Sequence, residues 1–322
     1  MAQVDRGDRM RGAILGQLAG DALCLGSHWY YNFADRRRVY PGGIHGFEAP
    51  VEGHYHAGKK PGDLTHYGDA AMVLLRSVAG QGRADPQDYG RRFVAAFAPE
   101  TYRGYLDKPT RLTVQQFRDA GGDAQTFAFD RGADDAQNVT TSRLAPVVVR
   151  HAGDPELEAI VERITRVCQD NDEAVAHAVV HARILRRLLR GEALASALDA
   201  VLLGDDGPVL PALASRYGDA KLMREQSVPD ATGEFGRSCY LPSSFPSTLQ
   251  AALRHGDDVE MALLECCRAG GDNASRCGLL GAWLGAAHGV HAIPVDWLSR
   301  LHVHDEAVAL TEQVVRAALS AG

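Results

Sequence analysis

Apolar residues recur at helical spacing along nearly the whole chain, and no convincing run alternates as a strand does. Between 172 and 190, Ala174, Ala178, Ile184, Leu185, Leu188 and Leu189 share one side, while Arg183, Arg186, Arg187 and Arg190 lie largely elsewhere. The same period predicts helices near 9–25, 69–80, 85–98, 109–120, 140–152, 155–170, 172–190, 192–203, 245–255, 257–269, 275–288, 295–302 and 305–320. Punctuation agrees, because Asp85-Pro86-Gln87 and Asp154-Pro155-Glu156 each set a capping carboxylate before a first-turn proline. No solenoid-length repeat appears. The pattern predicts an all-α fold with one domain over residues 1–322.

Two stretches break the helical pattern, 27–68 and 204–244, both rich in Gly, Pro, His and Tyr. They read as long loops. The first holds Trp29, Tyr30, Tyr31, Phe33, Phe47, Tyr55 and Tyr67, too many aromatics for a disordered segment, so it predicts an ordered loop folded over a pocket.

Two of the predicted helices carry glycine every fourth residue. Gly12, Gly16 and Gly20 form one ridge, and Gly281, Gly285 and Gly289 form the other. Each interior glycine costs roughly 1 kcal/mol against alanine, so a ridge of three needs a compensating contact, and the two ridges are the natural partners for each other. Asp21 and Asp272 stand at one end of each ridge. If the helices touch, both carboxylates belong to one central polar site, although a helix cap explains either one locally.

Composition narrows the classes. Apolar residues at 45% and charged residues at 23% fit a globular core, and a net charge of −7 with basic clusters only at 36–38 and 186–187 argues against nucleic acid as a main partner. The longest apolar stretch, 278–287, is too short to span a bilayer. Six cysteines without a Cys-x-x-Cys pair and a charged N-terminal segment without a signal-type apolar run point to reduced thiols and a cytoplasmic setting.

Candidate chemistry gathers at helix ends. Thr65-His66-Tyr67-Gly68-Asp69 repeats the geometry around Asp272, a carboxylate after glycine where a helix begins. There the helix dipole is expected to lower the carboxylate pKa and favour the ion. His28-Trp29 follows the first ridge and offers a histidine beside an aromatic that can stack on a base or sugar; an aromatic plug is the plainer reading. His54-x-His56 has no third metal ligand at a recognisable spacing. Asn138, Thr140 and Arg143 open another helix with groups suited to an anionic or polyhydroxylated ligand, or to simple capping.

Taken in order, these segments resemble the ADP-ribosylglycohydrolase family: Gly20-Asp21-Ala22-Leu23, the helix start at Tyr67-Gly68-Asp69-Ala70, the run Asn138 to Pro146, the turn Gly270-Gly271-Asp272 before a glycine-ridged helix, and Ile293-Pro294 with Trp297 beyond it. The resemblance spans nearly the whole chain. It implies a compact multi-helix orthogonal bundle, cleavage of the glycosidic bond between ADP-ribose and an acceptor, and two magnesium ions between the motifs. Departures bear on the ions. A Thr-Asp-Asp-Thr start becomes Tyr67 to Ala70, Asp-Thr-Asp-Thr becomes Asp272 to Ser275 with Ala274 in place of the second carboxylate, and an expected acidic residue becomes His28. Hard dications want several oxygen ligands, so no metal is expected, with a single magnesium the less favoured case. His28-Trp29 and Asp272 to Arg276 look like the subgroup of J-type crystallins and selenoprotein J.

The resulting expectation is hydrolysis of an ADP-ribosyl or related nucleotide-sugar conjugate without the usual metal pair. Asp69 or Asp272 would activate water, His28 or His66 would assist the leaving group, and Trp29 or Tyr67 would stack on adenine or ribose. Asp21, Asn138, Thr140, Arg143, Asn273, Ser275 and Arg276 complete the candidate ligand contacts. The alternative is a non-catalytic nucleotide-binding or structural, crystallin-like protein.

Overall fold

The computed structural model describes residues 4–321, and among them sixteen α-helices and two short 3-10 helices account for all regular structure. No strand forms among the described residues; only isolated bridges occur, at Ala133 to Gln169 and Gln137 to Tyr240. The fold is therefore the all-α one that the periodicity predicts.

Its centre is the antiparallel pair formed by the first helix, Arg6–Leu23, and the late helix, Asn273–His288. A methyl group built on Gly12 would fall within 3 Å of Gly285 O, one on Gly16 within 3 Å of Gly281 O, and one on Gly20 within 3 Å of Cys277 O. The reciprocal overlaps at Gly281 and Gly285 are as severe. Glycine here serves close backbone approach, which repays its helix cost in van der Waals contact and weak Cα–H···O bonds. Gly289 differs from the predicted ridge: it caps the late helix with φ of 83°, and its open side meets Asp8.

This pairing fixes the site. Because the helices run antiparallel, the last turn of the first helix, which holds Asp21, lies beside the opening turn of the late one, which holds Asp272. A third helix, His66–Gln81, starts at the same place: Asp21 Oδ2 accepts from Thr65 N at 2.7 Å, and Asp21 Oδ1 accepts from Thr65 Oγ1 at 2.5 Å and from Gly68 N at 3.1 Å. Asp21 thus caps a helix that is not its own.

The loop assignments need correction. Stretch 27–68 contains the helix Phe33–Val39, capped by the Asn32 side chain, and stretch 204–244 contains Pro211–Leu222, Val228–Phe235 and the start of Leu241–His255. Three of these four helices carry proline in the first turn, a start signal hidden among other prolines and glycines. The predicted helix at 140–152 divides into a 3-10 turn, Thr141–Arg143, and a short helix, Ala145–His151. Elsewhere the predicted stripe on Asp172–Leu189 is buried as expected. The six cysteines are unbridged, and Cys239 alone of them is partly exposed. No described helix is long and apolar enough to cross a membrane.

Candidate functional site

Asp272 is fully buried where the three helix ends meet. Its side chain makes no cap bond to its own helix. It accepts instead from Ser275 Oγ and, at 3.0 Å, from the Tyr67 hydroxyl. Burial raises its pKa despite these donors and the charge of Arg276, which corrects the expectation that the helix dipole would hold it low. Asp21 is likewise pushed up to about 7 by burial, against its bonds from Thr65.

His28 stands next to Asp272, with Nε2 3.4 Å from Asp272 Oδ1. Its other nitrogen, Nδ1, lies 3.0 Å from Asn273 Oδ1. The Asn273 amide is oriented by its own donors, since Nδ2 gives hydrogen bonds to Ser27 Oγ and Cys267 O, both at 2.9 Å. The oxygen therefore faces His28 and Nδ1 carries the proton, which leaves the Nε2 lone pair aimed at the site. Burial, reinforced by His56, lowers the His28 pKa well below the usual histidine range.

His66 and His56 complete a cluster. Ring centroids lie 5.6 Å apart for His28 and His56, 5.6 Å for His56 and His66, and 5.8 Å for His28 and His66, a nearly equilateral triangle. All three residues are at most 2% exposed. Trp29 packs over them, 4.0 Å from the His28 ring and 5.2 Å from that of His66, with Tyr55 and Tyr105 against its edges. Its backbone adopts φ of 65°, the one non-glycine residue with positive φ among those described, held by Trp29 N donating to Gly271 O at 2.8 Å. The aromatic loop thus folds over polar side chains, as the sequence predicts.

Other candidates fall outside this cluster. Asp69 points to the rim, where it accepts from Lys59 Nζ and the Tyr102 hydroxyl, both at 2.7 Å. Ser275 is taken up by Asp272, and Asn273 by His28. Arg276 is fully buried, donates to Gly270 O, and leaves Nε and Nη1 without partners. Asn138, Thr140 and Arg143 are at most 1% exposed; Thr140 N bonds Gln169 Oε1, while Arg143 packs on Phe93 and reaches His66 through its charge. None of these four presents a group to solvent. A cavity of about 840 Å³ between Asp5, Arg6, Arg9, Ala152, Gly153 and Arg190 shares no residue with the cluster.

Sequence reasoning found no signal for Asp107, Lys59 and Tyr102, and it singled out His56 only together with His54. His56 was paired with the wrong partner: His54 instead accepts from His56 N and lies 2.7 Å from His28 O. Asp107 reads locally as the cap that it also is, bonding Thr110 N, yet its Oδ2 stands 3.7 Å from His66 Nε2. A buried cap beside a buried histidine leaves no trace in spacing.

Helix ends converge on a buried aspartate across a glycine-ridge pair, within an all-α fold of the ADP-ribosylglycohydrolase type. The chain belongs to that family, whose sequence pattern matches residues 2–321. It is similar to crystallin J1A of Tripedalia cystophora, 27% identical over 95% of this chain and 96% of the crystallin. It is also similar to the ADP-ribosyl-(dinitrogen reductase) glycohydrolase of Rhodospirillum rubrum, 24% identical over 93% of this chain and 92% of that one. A solved ADP-ribosylglycohydrolase-related protein complex superposes with a TM-score of 0.74 at 25% identity, covering 98% of this chain and 99% of the other.

The two magnesium ions that the family implies do not fit these residues. Asp21 spends both oxygens on Thr65 and Gly68, Asp69 is paired with Lys59, and Ala274 offers no oxygen. The crevice among Asp21, Tyr67, Gly68 and Ala274 is too small to admit a water molecule, whereas hydrated magnesium needs six oxygens around it.

Proposed function

We propose that this protein hydrolyses the glycosidic bond of an ADP-ribosyl or related nucleotide-sugar conjugate, with Asp272 as the acid–base group and without a magnesium pair. The observation that carries the reading is the environment of Asp272: buried, raised in pKa and held by Tyr67 and Ser275 beside His28. A carboxylate whose pKa is raised by burial is a stronger proton acceptor than an ordinary one. Asp272 takes a proton from water as the water oxygen bonds to the anomeric carbon, the bond to the acceptor breaks, and Asp272 passes that proton to the departing acceptor. His28 and His66 are neutral at that pH, so they orient water and leaving group by hydrogen bonding and do not act as cationic acids. Family membership supports the substrate class.

Ligand entry requires the Trp29, Tyr55 and Tyr105 layer to lift, because the polar cluster beneath has no open face. Tyr31 and Tyr55, 54% and 63% exposed, supply stacking surfaces for an adenine at the rim. Asn138, Thr140, Arg143 and Arg276 then act behind the site, by charge and positioning. Contact with a diphosphate would need them to be uncovered.

A second reading, a structural or binding protein without turnover, is favoured by the closed crevice beside Asp21 and by the similarity to crystallins. One assay separates the two: incubation with a panel of ADP-ribosylated amino acids, peptides and nucleic acids, with and without added magnesium, measuring released ADP-ribose. Hydrolysis indifferent to magnesium and lost in Asp272→Asn is expected. Absence of turnover on every substrate, with no thermal shift by ADP-ribose, would establish the structural reading.

A further inference from the structure

The three buried histidines pose a problem of pairing. His28 Nε2, His56 Nδ1 and Nε2, and His66 Nδ1 and Nε2 are all buried without a hydrogen-bond partner. Buried polar atoms in folded proteins are nearly always paired, and each unpaired one forfeits its hydration. Five such atoms, contributed by residues 28, 56 and 66 from separate segments, converge in one place. One nitrogen from each ring lies within 4.8 Å of the other two.

From this geometry we propose that His28, His56 and His66 hold a divalent transition-metal ion of the zinc type. The inference rests on the geometry of the cluster and requires no particular reaction; with the ion bound, His28 and His66 act as its ligands in place of hydrogen bonding to water and leaving group.

Neutral imidazole is the ligand that zinc, cobalt and nickel prefer, and three histidines with one open position are an established zinc arrangement. Burial keeps all three rings unprotonated at neutral pH, so no proton competes for the lone pairs. A tetrahedral ion with bonds of about 2.0–2.1 Å sets its ligand nitrogens roughly 3.3 Å apart. Closing from 4.8 Å asks for inward shifts of about 1 Å, which His56 and His66 can make because their rings have no hydrogen bonds, while Asn273 holds the His28 ring.

The groups around the three rings hold and shield them. His28 gives its Nδ1 proton to the Asn273 amide oxygen, which fixes the tautomer that leaves Nε2 free. His66 Nε2 faces Asp107 Oδ2 at 3.7 Å, and Trp29 closes the cluster from above. Ligating histidines usually carry a hydrogen-bond partner on the second nitrogen, as His28 does in Asn273. Asp272 Oδ1, 3.4 Å from His28 Nε2, is acidic oxygen beside the triangle and supplies the negative charge that a dication lacks from three neutral ligands. Hard, oxygen-seeking magnesium has no claim on three imidazoles.

The test uses the full-length protein stripped by chelator, then titrated with zinc and with cobalt, whose tetrahedral complexes absorb in the visible. Uptake of about one ion per chain is expected, with each of His28→Gln, His56→Phe and His66→Phe weakening cobalt binding at least about a hundredfold and abolishing the visible band. His56→Phe keeps an aromatic ring in the packing and should melt no lower than the metal-free wild type. Failure of the wild type to bind either ion, or equal binding by all three variants, overturns the proposal. Should the variants not fold, X-ray absorption on the cobalt-loaded wild type decides: three imidazole nitrogens support the site, and fewer overturn it. The hydrolase reading is scored separately by ADP-ribose release, so each idea can fail alone.

Discussion

The glycine-ridge interface and the histidine triangle lie within a few residues of each other and are built on opposite principles. At the ridge, Gly12, Gly16, Gly281 and Gly285 incur a helix penalty that is recovered on the spot, because each removed side chain lets a backbone carbonyl of the partner helix approach. At the triangle, His28, His56 and His66 incur a burial penalty that nothing in the chain recovers, since five ring nitrogens find no partner. A cost repaid inside the molecule belongs to folding. A cost left open marks a place where something from outside the chain completes the structure.

The sharpest way to break the comparison is Asp272→Asn. The substitution keeps the shape and leaves Oδ1 to accept from Tyr67, but it puts an amide NH2 where Oδ2 accepted from Ser275 and removes the proton acceptor. Turnover should fall by about two to four orders of magnitude, the range for removal of a general acid–base group, while the melting temperature holds or rises because a buried charge is gone. Measured rates within tenfold of wild type would take Asp272 out of the reaction.

Gly285→Ala tests the other side. Its methyl group would overlap Gly12 O, backbone against backbone, with no flexible side chain to give way. A cost of about 3 kcal/mol or more is expected in denaturant unfolding, at the upper end for overpacking because the intended neighbour cannot repack. Gly218→Ala, on an exposed helix with nothing within 4 Å of the added methyl group, should instead stabilise slightly. Equal effects at both positions would mean that the ridge is not a packing device.

His181 joins the two regimes. It sits in the core against the late helix, accepts from Trp283 Nε1 at 2.9 Å, and has its second nitrogen unpaired. Burial alone pushes its pKa down to about 3. The unfolded chain protonates this histidine near pH 6.5 and the folded one only near 3, so the unfolded state binds the extra proton in between, and stability falls as pH drops through that window. His181→Gln, which keeps an acceptor for Trp283, should flatten that fall by about 1.4 kcal/mol per pH unit between pH 6 and pH 4, read from unfolding curves.

How much of this was open to inspection in the sequence follows the same division. Periodicity carries the helices, and glycine spacing carries the central pair, because both are local patterns with one physical cause. It also led to the helix ends that hold Asp21 and Asp272 as neighbours, since two ridges that must touch bring their ends together. The three missed helices, Phe33–Val39, Pro211–Leu222 and Val228–Phe235, sit in stretches rich in proline and glycine, and in the last two a first-turn proline looks the same as a loop proline. The triangle was out of reach for a different reason: His28, His56 and His66 belong to three segments whose convergence depends on the path of the loop between 40 and 64. Spacing drew attention only to His54 with His56 and offered no third ligand, whereas His54 serves the backbone at His28. Asp69 illustrates the converse. It stands at a family motif position, yet Lys59, ten residues away, holds it at the rim.

That last contrast supplies the smallest expected effect. Asp69 and Asp272 both follow a glycine at a helix start, but Asp69 is partly exposed and bonded to Lys59 and Tyr102, whereas Asp272 is sealed among Tyr67, Ser275 and His28. Partly exposed ion pairs contribute little, so Lys59→Met should change unfolding free energy by less than about 1 kcal/mol. Asp69→Asn should lower turnover by no more than about fivefold, the kinetic equivalent of a similar energy. Should Asp69→Asn instead match the loss in Asp272→Asn, the rim carboxylate would be the base and the buried one its support. Two carboxylates with the same local signature would then have exchanged roles.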